Sequence, residues 1–119
     1  MIIKERDPGE HRDVGVLAKA GARAEEQMAF YLRRAFADGE DILVFNDLRF
    51  HDDTGDTCQI DHLVLHKYGF IFIESKSVTS GVKVNRSGEW IRYWNKIPQG
   101  MPSPVLQAKR QQDFLKRAL

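Results

Sequence analysis

The run QIDHLVLHKYGFIFIESK, Gln59 to Lys76, constrains the chain more than any other stretch. It is almost entirely apolar and rich in β-branched and aromatic residues. Two short runs of that kind read as buried strands, joined tightly near Lys67 and Tyr68. A two-residue loop there pairs His66 with Gly69. Counting outward, Asp61 falls opposite Glu74 and Gln59 opposite Lys76. Side chains alternate along a strand, so Gln59, Asp61, Glu74 and Lys76 share one face. A four-residue loop keeps them on that face. A three-residue loop would send Asp61 and Glu74 to opposite faces, so the reading depends on the turn.

Two carboxylates directly opposite on a strand pair lie about 4.5–5.5 Å apart at Cβ and repel. On a partly buried face the repulsion is costly. A proton, a lysine or a divalent cation would offset it. Ligands that are all oxygen suit a hard cation, Mg²⁺ or Mn²⁺. Lys76, one pleat from Glu74, is placed to stabilise charge on a reacting phosphate. The plain alternative is a surface ion pair at the end of a hairpin.

The rest of the chain supplies the frame. Residues 1–14 read as a polar, irregular arm, and 15–119 as one domain. Residues 15–37 are rich in Ala, Leu, Arg and Glu, lack proline, and read as a helix that DGED ends. ILVFNDLRF (42–50) reads as a strand and HDDTGDT as a turn. The two strands of the opening hairpin follow, over 58–66 and 69–76. VKVN and EWIRYW form a second hairpin through RSG, and IPQGMPSP reads as a loop. Ser103 is a good N-cap and Pro104 a good first helical residue, which sets a helix over 104–118. The order is helix, three strands, small hairpin, helix. This is an α/β (α+β) fold with a central mixed sheet flanked by helices. FIFI (70–73), apolar on both faces, suits a central strand.

Both helices aim polar groups inward. On a 3.6-residue period Leu17, Gly21, Glu25 (or Ala24), Met28, Leu32 and Ala35 form one stripe, so Glu25 faces the sheet. It would join the acidic pair, or lie at the stripe's edge and pair with an arginine. In the last helix Gln107, Gln111, Phe114 and Ala118 share a stripe. Gln107 would orient water or a phosphate, or be satisfied by loop backbone.

Composition narrows the partners. Residues 1–75 hold 9 Lys/Arg against 15 Asp/Glu, a net −6, and residues 76–119 hold 9 against 2, a net +7. The basic half can contact phosphates, or simply be a solvated face. With one cysteine, Cys58, no intramolecular disulfide and no multi-cysteine zinc site forms, and a reduced, cytoplasmic setting is expected. No 18-residue apolar run is present, so no membrane span is expected.

The segments GARAEEQMAFYL, QIDHLVLHKYGFIFIESK, SGVKVNRSGEW and SPVLQAKRQ together resemble the nuclease-related domain (NERD) family. That family is similar to the restriction-endonuclease-like nucleases that carry a PD-(D/E)XK motif. The resemblance spans about 15–119. It implies that Asp61 and Glu74 are metal ligands, that the backbone carbonyl of Ser75 joins the metal shell, and that Lys76 is the catalytic lysine. It further implies that Glu25 completes the acidic cluster and that Gln107 is the glutamine of a QxxxY element, in which Gln111 replaces the tyrosine. The implied function is metal-dependent hydrolysis of DNA, or of RNA, with Mg²⁺ or Mn²⁺. Lys83, Arg86, Lys109 and Arg110 would hold the nucleic-acid backbone. The alternative is a catalytically weak nucleic-acid-binding or protein-interaction module on the same fold. The family fold usually has a further strand after the second core helix, where this chain stops. Either the sheet lacks an edge strand, or a partner such as a second copy supplies it, or the chain is a piece of something longer.

Three weaker features have simple readings. The acidic cluster of His51, Asp52, Asp53 and Asp56 reads as a turn. His62 points away from its neighbour Asp61 and reads as a packed, hydrogen-bonded histidine. Trp90 and Trp94 read as hairpin packing.

Overall fold

A computed structural model describes residues 1–7, 15–78 and 81–119, excluding the side chains of Leu17 and Trp94. The fold is α+β. A four-stranded mixed sheet has the order β1-β2-β3-β4, from Ile2–Lys4, Leu43–His51, Thr57–His66 and Gly69–Ile73. A three-stranded antiparallel sheet holds β5, β6 and β7, from Val82–Val84, Trp90–Trp94 and Ile97–Met101. Helix α1 is Val16–Phe36 and α2 is Pro104–Ala118.

The opening hairpin forms in the register that places the acidic residues together. His66 pairs with Gly69 and His62 with Ile73, which leaves Lys67 and Tyr68 as the two-residue loop. Gly69 adopts φ +142°, a conformation that side chains disfavour.

The helices cover opposite faces of the sheet. On one side Leu32 of α1 packs with Val44 and Val64, joined by Met28, Phe36 and Ile73. On the other, Leu115 of α2 packs with Ile60 and Leu63, joined by Phe45 and Phe72. Adjacent residues thus go to different helices where the pleat is regular, Val44 and Val64 to α1 and Phe45 and Leu63 to α2. Beyond Asp47, where φ is +55°, Leu48 and Ile60 join the α2 side as well. The Ser103 hydroxyl accepts from the Leu106 amide at 3.2 Å and so caps α2, with Pro104 at its first turn. The turn after β2 is held by Asp52, whose Oδ1 accepts from the Thr54 and Asp56 amides, each at 2.9 Å.

Five expectations need correction. The second strand of the opening hairpin ends at Ile73 and not at Lys76, so Glu74 and Lys76 lie beyond the ladder and do not pair with Asp61 and Gln59. Residues 2–4 are not irregular: they form β1, parallel to β2, with Ile2 opposite Val44. The remainder of the proposed arm, 8–14, lies outside the described residues. FIFI is an edge strand and not a central one; Phe70 and Ile71 are 43% and 49% exposed. The proposed loop at IPQGMPSP contains β7, which pairs with β6 across a two-residue turn at Asn95 and Lys96, both with positive φ. Pro98 is tolerated because β7 is an edge strand. In α1 the buried stripe runs through Ala29 and Leu32, while Ala35 is exposed.

Candidate active site

β4 stops at Ile73, and the next three residues carry the site. The Ser75 amide no longer meets a strand carbonyl; it donates to Asp61 Oδ2 at 3.0 Å. Asp61 is 8% exposed on β3, and its carboxyl lies close enough to that of Glu74 for the two to influence each other's charge. Lys76 Nζ lies 3.3 Å from Glu74 Oε1. From the other side, Gln111 of α2 donates its amide Nε2 to Glu74 Oε2 at 2.9 Å. Asp61, Glu74, Ser75 and Lys76 therefore meet at one place.

Two clefts share this place. One, about 320 Å³, is walled by Glu25, Gly21, Lys76, Ser77 and Arg92; the other, about 590 Å³, by Cys58, Gln107, Arg110, Gln111 and Arg117. Gln59, Asp61 and Glu74 line both. The carboxylate pair thus sits where the α1 side and the α2 side of the sheet's end run together.

Electrostatics follow from the crowding. Burial pushes the Asp61 carboxyl up to about 7, and the nearby charges of Glu74 and Glu25 add to the rise. The Ser75 amide opposes it but does not win. Glu25 is also raised, by burial first, with Asp47 and Glu74 adding and Arg6 opposing. The pair therefore retains a proton near neutral pH unless a cation offsets its charge.

Glu25 is at the cleft wall but is not free. Arg6 Nε lies 3.3 Å from Glu25 Oε2, and Arg6 Nη1 lies 3.2 Å from Glu26 Oε1. Among the described residues no three His, Cys, Asp or Glu side chains converge as a metal-binding group. The acidic centre is a pair, with its third carboxylate held by arginine. Gln107 lines the larger cleft, and its Oε1 is buried without a hydrogen-bond partner among the described residues; the same holds for Gln111 Oε1. It is Gln111, not Gln107, that contacts an acidic residue of the centre. Arg110 lines the larger cleft, whereas Lys109 is exposed on α2 and Lys83 and Arg86 lie on β5 and the turn after it.

A second polar group lies under the site. Asn46 and His62 are cross-strand neighbours, both fully buried. His62 Nδ1 is 2.8 Å from Asn46 Oδ1, and its Nε2 is 3.2 Å from Ser75 Oγ. Burial, and then the Arg6 charge, push the His62 pKa down to about 4, so the ring is neutral at physiological pH. Beside them Asp47 takes φ +55° and is 4% exposed; it accepts from Gln59 Nε2 at 2.9 Å. The Lys4 ammonium donates to the Asn46 and Asp47 carbonyls at 3.1 and 2.9 Å. Neither Arg6 nor Asp47 stands out by local pattern. Gln111 does, since it lies one turn beyond Gln107 on the same face.

The donor set fits a hard divalent cation. A carboxyl that burial and a neighbouring carboxylate hold protonated can release its proton to a cation. Buried amide oxygens without partners stand nearby, and a small cation of the Mg²⁺ type needs only one or two protein carboxylates.

A family model described as nuclease-related domain matches residues 20–119. Comparison with curated proteins and with solved structures returned no match. No described helix is long and apolar enough to cross a membrane.

Proposed function

Because the chain belongs to the nuclease-related domain family, we propose that it hydrolyses phosphodiester bonds of DNA with a divalent cation, Mg²⁺ or Mn²⁺, held by Asp61 and Glu74. The observation that carries this reading is the Asp61–Glu74 carboxylate pair at the junction of two clefts, with Lys76 3.3 Å from Glu74. Such a cation supplies Lewis acidity at the phosphate and lowers the pKa of water beside it.

The chain's own groups do the rest. Glu74 is gripped from two directions, by Lys76 and by Gln111, so its carboxylate points into the junction. Lys76, about one-third exposed, can leave Glu74 and donate to a phosphate oxygen, where its charge stabilises the transition state. The Ser75 amide fixes Asp61. Arg92 in one cleft and Arg110 and Arg117 in the other offer guanidinium groups to phosphates on either side of the scissile bond.

Incubation of plasmid and linear DNA with Mg²⁺, Mn²⁺ or EDTA tests this, with the Lys76→Ala protein alongside. Cleavage that needs the cation and is lost in Lys76→Ala is the expected result. Cation-independent cleavage, or equal cleavage by the variant, sinks the proposal. One observation favours a second reading, a nucleic-acid-binding module with little catalysis: Glu25 is neutralised by Arg6 and withheld from the pair. That reading expects salt-sensitive retention of DNA with no Mg²⁺-dependent product.

A further inference from the structure

We propose that His62 is a positioning residue that clips the Glu74–Lys76 segment in place through the Ser75 hydroxyl. The inference rests on the reading of Asp61, Glu74 and Lys76 as the reactive centre. It starts from a local deficiency. Regular pairing of β3 with β4 ends at His62 and Ile73. Beyond it the chain that bears Glu74 and Lys76 has left the strand, and side chains must hold it.

Gln111 holds Glu74 from α2 and Arg92 holds the Ser77 carbonyl. Ser75, between the two reactive residues, makes two tethers of its own to β3. Its amide goes to Asp61 Oδ2 and its Oγ lies 3.2 Å from His62 Nε2. The first tether depends on the acidic centre itself. The second is anchored outside it, in the sheet.

The anchor is built for one orientation. Asn46 Oδ1 can only accept, so His62 Nδ1 carries the ring proton and donates across 2.8 Å. Nε2 is then left to accept, and the Ser75 hydroxyl donates to it. His62 and Asn46 are fully excluded from solvent and pair across β2 and β3. Val44, Leu63 and Val64, their neighbours along the same strands, are buried as well. A buried imidazole costs more than an apolar side chain unless both nitrogens are satisfied. At this position both are, and one of the two bonds reaches the reactive segment. Loss of such an orienting partner commonly costs about 10–100-fold in metal affinity or activity.

The test uses Ser75→Ala, Ser75→Thr, His62→Leu and the double variant His62→Leu/Ser75→Ala, in the full chain. Thermal midpoint, kcat, KM and Mn²⁺ affinity by electron paramagnetic resonance are measured for each. Ser75→Ala removes a small, half-buried hydroxyl and should fold. It is expected to lower kcat and Mn²⁺ affinity by about 10-fold or more with little change in KM. Ser75→Thr, which keeps the hydroxyl, should recover most of the loss. His62→Leu should lose as much, and the double variant no more than either single one. Wild-type kcat and Mn²⁺ affinity in Ser75→Ala would overturn the proposal, as would additive losses in the double variant. If the wild type binds Mn²⁺ but cleaves nothing, the nuclease reading fails. The clip then stands if the variants still weaken Mn²⁺ binding, and falls if they do not.

Discussion

The amide nitrogen of Gln111 donates to Glu74 at 2.9 Å, across the gap between α2 and the segment that follows β4. This bond couples the last helix to the acidic pair. Its helix is fixed by Leu115 and Phe114, both 7% exposed, and by the Ser103 cap. Gln111→Leu keeps the burial and removes the donor. We expect kcat to fall about 10-fold, with Mn²⁺ affinity falling in parallel. Unchanged kinetics in that variant would show that Glu74 needs no support from α2.

Asp61 makes stability depend on pH. Its folded pKa, about 7, lies above the usual 3.8, so the folded state holds the proton more tightly. Its share of stability is complete below about pH 4 and is lost as pH rises through 7. The loss is on the order of 2–4 kcal/mol at pH 8. Asp61→Asn, which keeps an acceptor for the Ser75 amide, should therefore raise the thermal midpoint in EDTA at pH 8 and do little at pH 4. His62, with its pKa lowered to about 4, slopes the opposite way below pH 6.5. Comparing variant with wild type at each pH cancels that contribution. An equal effect at both pH values would mean that Asp61 is ionised throughout.

Arg6 acts as the resident counter-charge for Glu25. With side chains 17% and 23% exposed, the pair is shielded enough to matter. Arg6→Gln should cost about 1–3 kcal/mol in EDTA. Added Mg²⁺ should then raise the midpoint more in the variant than in the wild type, because a cation can take over the role and bind the folded state alone. Differential scanning calorimetry with and without Mg²⁺ decides it; an equal gain in both proteins would remove Glu25 from the cation's surroundings.

The basic residues are not equivalent. Arg110 and Arg117 line the cleft that holds Asp61 and Glu74, whereas Arg86 sits on the exposed turn after β5. Arg110→Ala should weaken DNA binding and reduce the slope of log affinity against log salt by about 1. Arg86→Ala should change the slope less and leave the cleavage rate unaltered. A titration of affinity against NaCl ranks the two.

The parts of the site that could be read from sequence are those fixed by local periodicity. Alternation on either side of Lys67 and Tyr68 pointed Asp61 and Glu74 at one place. The register bears out the two-residue turn as far as His62 and Ile73, and Glu74 follows just beyond the ladder. The stripe on α1 brought Glu25 to the cleft, and Ser103 marked the start of α2. What could not be read depends on distant partners. Strand β1 is three residues long and pairs with a segment some forty residues away, so nothing local announces it. Arg6 follows it and meets Glu25 only because that pairing exists. β7 carries Pro98 and Gly100, which argue for a loop; the edge of a sheet tolerates them. The positive φ at Asn95 marked the hairpin turn, and Asn there is a signal that could have been used. His62 looked like ordinary core, because its use lies in which atoms its two nitrogens reach.

Strand β1 has a practical consequence for anyone who shortens this protein. The family match begins at Ala20, and an expression boundary drawn there would look natural. Such a cut would remove the first turn of α1 together with Ile2, which packs on the Leu32–Val44–Val64 cluster. It would expose the outer edge of β2 to pairing with other chains. It would also strip Glu25 of its guanidinium and the Asn46 and Asp47 carbonyls of Lys4. A minimal domain made by homology would therefore carry an acidic centre with a different charge from the one described, and any cation affinity measured on it would belong to that altered molecule.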